Sequence, residues 1–128
     1  MTKTFKQTQE DLNDVYNKPL LLENFNNDTD LICELCTIFL ENHTKTLENI
    51  KKAIANNNAK KLEYFAHTLR GSAANFFASP TIDTAEKLET MGNKNNLKQA
   101  QETFEILLHE TKRLEVALNE FITQHQGK

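Results

Sequence analysis

The sequence predicts an all-α fold: an antiparallel up-down-up-down four-helix bundle with short N-terminal helical turns. Three observations carry that prediction. Apolar residues recur at i, i+3, i+4 and i+7 over most of the chain. No segment sustains the period-two alternation of a half-buried strand. Only three glycines and two prolines interrupt the 128 residues, so the connections are short and antiparallel neighbours follow. A chain of that length is most simply one domain with one core.

Residues 1–25 read as an arm of short helical turns that packs on the bundle, and 26–125 as the bundle itself. In the arm, Leu12, Val15 and Tyr16 suggest one or two amphipathic turns. Pro19 should interrupt them, and LLENF after it offers another short turn. Asn26, Asn27 and Asp28 supply N-cap chemistry, with Asp30 placed to meet the helix dipole. From there Leu31, Ile32, Leu35, Ile38, Phe39, Leu47, Ile50, Ala53 and Ile54 trace a long helix. It ends near the asparagine triplet 56–58, a turn whose last member can cap the next helix.

That second helix carries the stripe Leu62, Phe65, Ala66, Leu69, Ala73 and Phe76 and runs to Ala78. Ser79 and Pro80 then read as the N-cap and first-turn proline of a third helix, Thr81 to Met91. Ile82, Ala85 and Leu88 face inward on it, and Gly92 closes it as a C-cap. Leu97, Ala100, Phe104, Leu107, Leu108, Thr111, Leu114, Leu118, Phe121 and Ile122 mark the last helix, about 40 Å long at 1.5 Å per residue.

Composition excludes several function classes. The net charge is −3 with no basic block, so nucleic acid is not the expected partner. MTKTFKQTQEDLND has no apolar signal core, and no run approaches the ~20 apolar residues of a membrane span. The chain is therefore read as cytoplasmic, without membrane insertion. Cys33 and Cys36 form a CxxC inside a continuous helix, with no second pair and no turn to present a metal. They read as reduced core or boundary thiols. Gly71, Gly92 and Gly127 are too scattered for a phosphate-cradling loop, so no ATP-dependent kinase activity is expected. No hydrolase triad or metal-ligand spacing is present either, and no metal or cofactor of its own is expected.

One stretch is not explained by folding alone: KKLEYFAHTLRGSAANFF, from Lys60 to Phe77. At roughly 100° per residue, His67 falls about 150° from the apolar stripe and faces water or a partner. Arg70 and Gly71 share its side one turn on. Lys60 and Ala74 lie on that side further out in each direction. A glycine inside a helix costs on the order of 1 kcal/mol relative to alanine, so something must require it. A bare surface beside His67 lets another macromolecule approach the imidazole, and Arg70 balances an anion placed there. Neutral imidazole is a competent nucleophile near neutral pH. Those are the properties of a phosphorylatable histidine. His43, His109 and His125 lack such a small-residue setting and read as structural or incidental.

AHTLRGSAANF, from Ala66 to Phe76, resembles the signature of the histidine-containing phosphotransfer (HPt) domain family, usually close to HTLKGSA or HTLKGSS. FLENHTKTLENIKKAI upstream and AEKLE downstream resemble its flanking helices at the expected separations. The resemblance implies a four-helix bundle in which His67, through Nε2, exchanges a phosphoryl group with receiver-domain aspartates in a two-component phosphorelay. The implied partners are response-regulator receiver domains and a hybrid histidine kinase, with Mg²⁺ on the receiver, and the chain is expected to be a monomer.

Arg70 stands where the family usually has lysine and would stabilise phosphoryl charge. Gly71 matches the small residue that makes room for the receiver. Lys60, Tyr64, Ala74 and Asn75 complete the expected docking face. Ser72 and Glu89 are the neighbours expected to support the site. Some members carry a glutamine at the position of Glu89, hydrogen-bonded to the histidine ring. A carboxylate that reached the ring would instead favour its protonated form.

Two other classes fit the same residues less well. A pure interaction bundle would dock a receiver or another signalling protein without chemistry, and would not need Arg70 and Gly71 beside His67. The phosphoacceptor segment of a histidine kinase usually has an acidic residue after its histidine, where Thr68 stands here, and no ATP-binding segment follows.

Overall fold

A computed structural model describes residues 15–126 and contains five helices among them. They are α1 (Lys18–Asn24), α2 (Thr29–Ala55), α3 (Ala59–Ala74), α4 (Ser79–Asn93) and α5 (Ala100–Gln126). The four long ones pack α2 against α3 and α5, and α4 against α3 and α5, which closes the bundle. Leu12 and most of the arm lie outside the described residues. No helix among the described residues is long and apolar enough to cross a membrane.

Local chemistry explains most helix boundaries. Asn17, Asp28 and Asn58 accept from the backbone N–H three residues on, at Leu20, Leu31 and Lys61, which satisfies a donor the helix cannot pair. Among the described residues, four of the five left-handed ones are asparagines: Asn26, Asn27, Asn57 and Asn95. A short polar side chain tolerates that region and lets the chain reverse after a helix.

Several expectations are corrected here. Pro19 does not interrupt a helix; it sits in the first turn of α1, where its missing N–H costs nothing. Helix α3 stops at Ala74, four residues before Ala78. The chain turns through Phe77, which adopts φ 53°. Ser79 is already helical, and the N-cap position of α4 falls to Ala78, which makes no side-chain cap bond. Gly92 is not a C-cap. It lies inside α4 with negative φ, and Lys94 occupies the cap.

The core is built from Leu21, Ile32, Ile50, Leu62, Leu69, Phe76, Leu88, Leu107, Leu114, Leu118 and Phe121, all fully enclosed. Leu21 anchors α1, and Lys18 bonds Gln124 and lies over the Phe121 ring at 5.5 Å, which holds α1 to the end of α5. Leu31, Ile38 and Leu108 share the apolar periodicity of their helices, but they are exposed. They lie at the edges of their stripes, beyond the arc that the neighbouring helices cover.

Cys33 and Cys36 are buried free thiols. Burial pushes both thiols up, Cys36 to about 12, so they behave as small hydrophobes. His43 is buried as well: it stacks on Phe39 with its Nδ1 3.1 Å from the Phe39 carbonyl and its Nε2 3.4 Å from Glu115. That placement is structural. The His125 ring stacks on Phe121.

Candidate functional site

The polar face of α3 is set by the burial of the opposite face. Leu62, Ala66, Leu69 and Ala73 go into the core, and this turns His67 outward with 63% of its side chain exposed. Arg70, one turn on, is 34% exposed, and Glu89 reaches across from α4 at 21%.

These three side chains form one cluster. Glu89 Oε2 lies 2.8 Å from Nδ1 of His67, and its Oε1 accepts from Arg70 Nε at 2.7 Å. Arg70 Nη2 is 3.0 Å from His67 Nδ1 and 3.5 Å from Glu89 Oε2. Burial pushes the Glu89 carboxyl up, but hydrogen bonds and charge from Arg70 and His67 outweigh it and hold the group below its ordinary 4.5. The Arg70 guanidinium is pushed further up, chiefly by its bond to Glu89. A carboxylate only accepts and a guanidinium only donates, so the two groups at Nδ1 ask for opposite tautomers; the nearer one, Glu89 at 2.8 Å against Arg70 Nη2 at 3.0 Å, assigns the ring proton to Nδ1. In that tautomer Arg70 Nη2 donates towards Oε2 at 3.5 Å, and Nε2 makes no hydrogen bond among the described residues.

Helix packing makes this cluster possible. A Cβ at Gly92 would stand 2.6 Å from the Ala59 carbonyl oxygen and 2.7 Å from the Glu63 nitrogen. Only hydrogen fits there, so Gly92 lets α4 lie against the backbone of α3 one turn from Glu89. Asn93 fastens the same junction by donating to Glu63 at 3.0 Å.

The other expected residues make no side-chain hydrogen bond to the imidazole cluster, and Ser72 and Asn75 line a groove against α2. Gly71 is exposed, has negative φ, and a Cβ there would meet nothing within 4 Å. Neither backbone geometry nor internal packing requires glycine at that position. Tyr64 is 66% exposed, its ring edge-on to Phe65. Lys60 and Ala74 are exposed towards opposite ends of α3. Ser72 donates to the Thr68 carbonyl of its own helix, and Asn75 is the C-cap residue of α3.

Two neighbours escaped the sequence reading. Ile38, 53% exposed, borders a groove that Ser72 and Asn75 also line; its helical spacing resembled that of a core residue. Glu86 adds its charge at Arg70, and its spacing of three from Glu89 was the available signal. Among the described residues no group of histidine, cysteine and carboxylate side chains could hold a metal ion.

Comparison with known proteins identifies the family and the fold. The family model described as Hpt domain matches residues 34–124. No curated protein matched the sequence. Among solved structures, the chain is similar to histidine-containing phosphotransfer protein B (HptB) from Pseudomonas aeruginosa PAO1, with a TM-score of 0.80 and 17% identity over 86% of this chain and 96% of that one. It is also similar to the HPT domain of the Hpt sensor hybrid histidine kinase from Shewanella, with a TM-score of 0.76 and 20% identity over 87% of this chain and 96% of that one. At such identities the two structures speak for the fold.

Proposed function

The chain belongs to the Hpt domain family, whose function is histidine phosphotransfer in phosphorelays, and we propose that it carries the phosphoryl group on Nε2 of His67. The observation that carries this assignment is the exposed imidazole whose Nδ1 faces the Glu89 carboxylate at 2.8 Å. That contact leaves Nε2 as the nucleophile, presented on the outer face of α3 for in-line attack.

Phosphoryl transfer asks the protein mainly for placement and charge neutralisation. Arg70 supplies positive charge from within the chain, through the guanidinium edge that Glu89 does not occupy. The donor and acceptor are aspartates of response-regulator receiver domains, including one from a hybrid histidine kinase, and the receiver brings Mg²⁺. Gly71 lets the receiver backbone come close. Tyr64, Lys60, Ala74 and Asn75 extend the docking face along α3, with Lys60 steering an acidic receiver pocket. The carrier acts as a cytoplasmic monomer, without ATP-dependent kinase activity of its own.

The test is transfer of label from a phosphorylated receiver with Mg²⁺. An acid-labile, base-stable adduct is expected on the wild type and none on His67→Gln, with helical content unchanged. Labelling that persists in His67→Gln removes the histidine from this role. Binding without any acquired phosphate would favour a docking bundle instead.

A further inference from the structure

His43 is a buried histidine that phosphoryl transfer leaves unused. Its side chain is only 6% exposed, so the ring depends on protein partners. Both of those partners are acceptors. Nδ1 lies 3.1 Å from the Phe39 carbonyl oxygen on its own helix, and Nε2 lies 3.4 Å from Glu115 Oε2 on α5. A neutral imidazole has one N–H and one lone pair, so in either tautomer the lone pair faces an oxygen that cannot donate. Only the imidazolium, with a proton on each nitrogen, satisfies both contacts.

We propose that His43 is a proton-operated clasp between α2 and α5: as imidazolium it ties the Phe39 turn of α2 to Glu115, and when it gives up its Nε2 proton to water the tie to α5 is lost. The shorter contact, Nδ1–H to the Phe39 carbonyl, is kept in the neutral ring.

The groups around the ring suit this working. Glu115 Oε1 accepts from Lys112 at 2.9 Å, and that bond, with a smaller effect of His43, holds the carboxyl below its ordinary value against burial. Glu115 therefore stays an anion across the range in which histidine changes charge, about pH 5 to 8. Lys112 is the competing cation at that carboxylate. From α3, Leu69, Ser72 and Asn75 line the same groove as His43 and bring no titratable group, and neither do Asn42 and Thr46 beside it on α2. The clasp also has a mechanical neighbour. The imidazole stacks on Phe39 at 5.1 Å, and Phe39 meets Phe76 edge-on at 5.7 Å, two residues past the end of the helix that carries His67. Release at α5 is passed through these rings to that segment. The stability that the clasp supplies is present on the acid side of the histidine range and is lost as pH rises through it.

The test uses the full chain with ¹⁵N-labelled histidine. At pH 5.5 the wild-type spectrum is expected to show both His43 nitrogens protonated, and at pH 9 only Nδ1. A single proton on the ring at pH 5.5 overturns the proposal, whether or not any variant folds. A proton left on Nε2 at pH 9 overturns it as well, since the tie to Glu115 would persist. Glu115→Gln, made in the wild type and in His43→Phe, then separates this pair from Lys112. At pH 5.5 the fall in urea midpoint caused by Glu115→Gln is expected to be at least about twofold larger in the wild type than in His43→Phe, the scale of a charge-assisted bond. At pH 9 the two falls are expected to be equal. Equal falls at both pH values, or a difference that persists at pH 9, overturn the proposal; a histidine that merely fills space would give the first result. Neither readout involves phosphate, so failure here leaves the carrier assignment at His67 standing.

Discussion

Glu89 Oε2 and His67 Nδ1 stand 2.8 Å apart, although 22 residues separate them in sequence. Arg70, three residues after His67, holds the other oxygen of the same carboxylate. The arginine and the carboxylate are therefore one unit, and substitutions in either should be felt at the histidine.

Arg70→Lys tests the fork. Lysine keeps the charge but cannot donate along two edges at once, so it cannot hold Glu89 and face the phosphoryl group together. Transfer from a phosphorylated receiver is expected to slow by about tenfold in Arg70→Lys, and by more in Arg70→Ala, the scale of lost charge-assisted contacts at a reacting centre. Rapid-quench transfer assays check this. Wild-type rates in both variants would leave Arg70 without a part in the chemistry.

Acid should weaken the fold partly through Glu89 and Glu115. Bonds from Arg70 and His67 hold the Glu89 carboxyl below its ordinary 4.5 against the opposing effect of burial, and Lys112, followed by His43, holds Glu115 below the same value. A carboxyl depressed in the folded state stabilises at pH above its unfolded value and loses that contribution as pH falls through the folded one. Urea midpoints should therefore decline below about pH 4.5. The decline should be shallower in Glu89→Gln, which has no carboxyl to titrate there. Parallel curves for the two proteins would contradict the assignment.

Much of this was legible in the sequence because the bundle is a consequence of period. The stripe of α3 alone turned His67, Arg70 and Gly71 to one side, and the asparagines marked two of the reversals. The limits have physical causes. The end of α3 was missed because Phe77, not glycine, takes the left-handed position. The exposure of Ile38 was not legible because periodicity gives the direction of a stripe but not how much of its edge the neighbours cover. The contact between Glu89 and His67 depends on the register of two antiparallel helices, which no local pattern encodes.

The thiols provide an independent check on packing. Cys33 and Cys36 are buried, and burial raises both, so little thiolate is present at neutral pH. A thiol reagent at pH 7.5 should label neither cysteine in the native protein on the timescale of minutes, and both in denaturant. Rapid native labelling would mean that the α2 face opens.

Two glycines give opposite predictions for the same substitution. Gly71→Ala adds a methyl into open space on a helix with negative φ. Stability should rise by about 0.5–1 kcal/mol from propensity alone, while transfer from a receiver slows because the methyl stands on the docking face. Gly92→Ala adds a methyl 2.6 Å from the Ala59 carbonyl oxygen and 2.7 Å from the Glu63 nitrogen. Both are backbone atoms that no rotamer change can move, so α3 and α4 must separate. Overpacking of this kind costs about 1–3 kcal/mol, more than the gain in helix propensity. The separation also draws Glu89 away from His67, one turn along α4. Urea denaturation should show Gly71→Ala above and Gly92→Ala below the wild type. The ¹⁵N signal of Nδ1 in unphosphorylated His67 should move in Gly92→Ala and stay in place in Gly71→Ala. Equal stability for the two variants would mean that the helices do not approach at Gly92, and the route by which Glu89 reaches the ring would then fail.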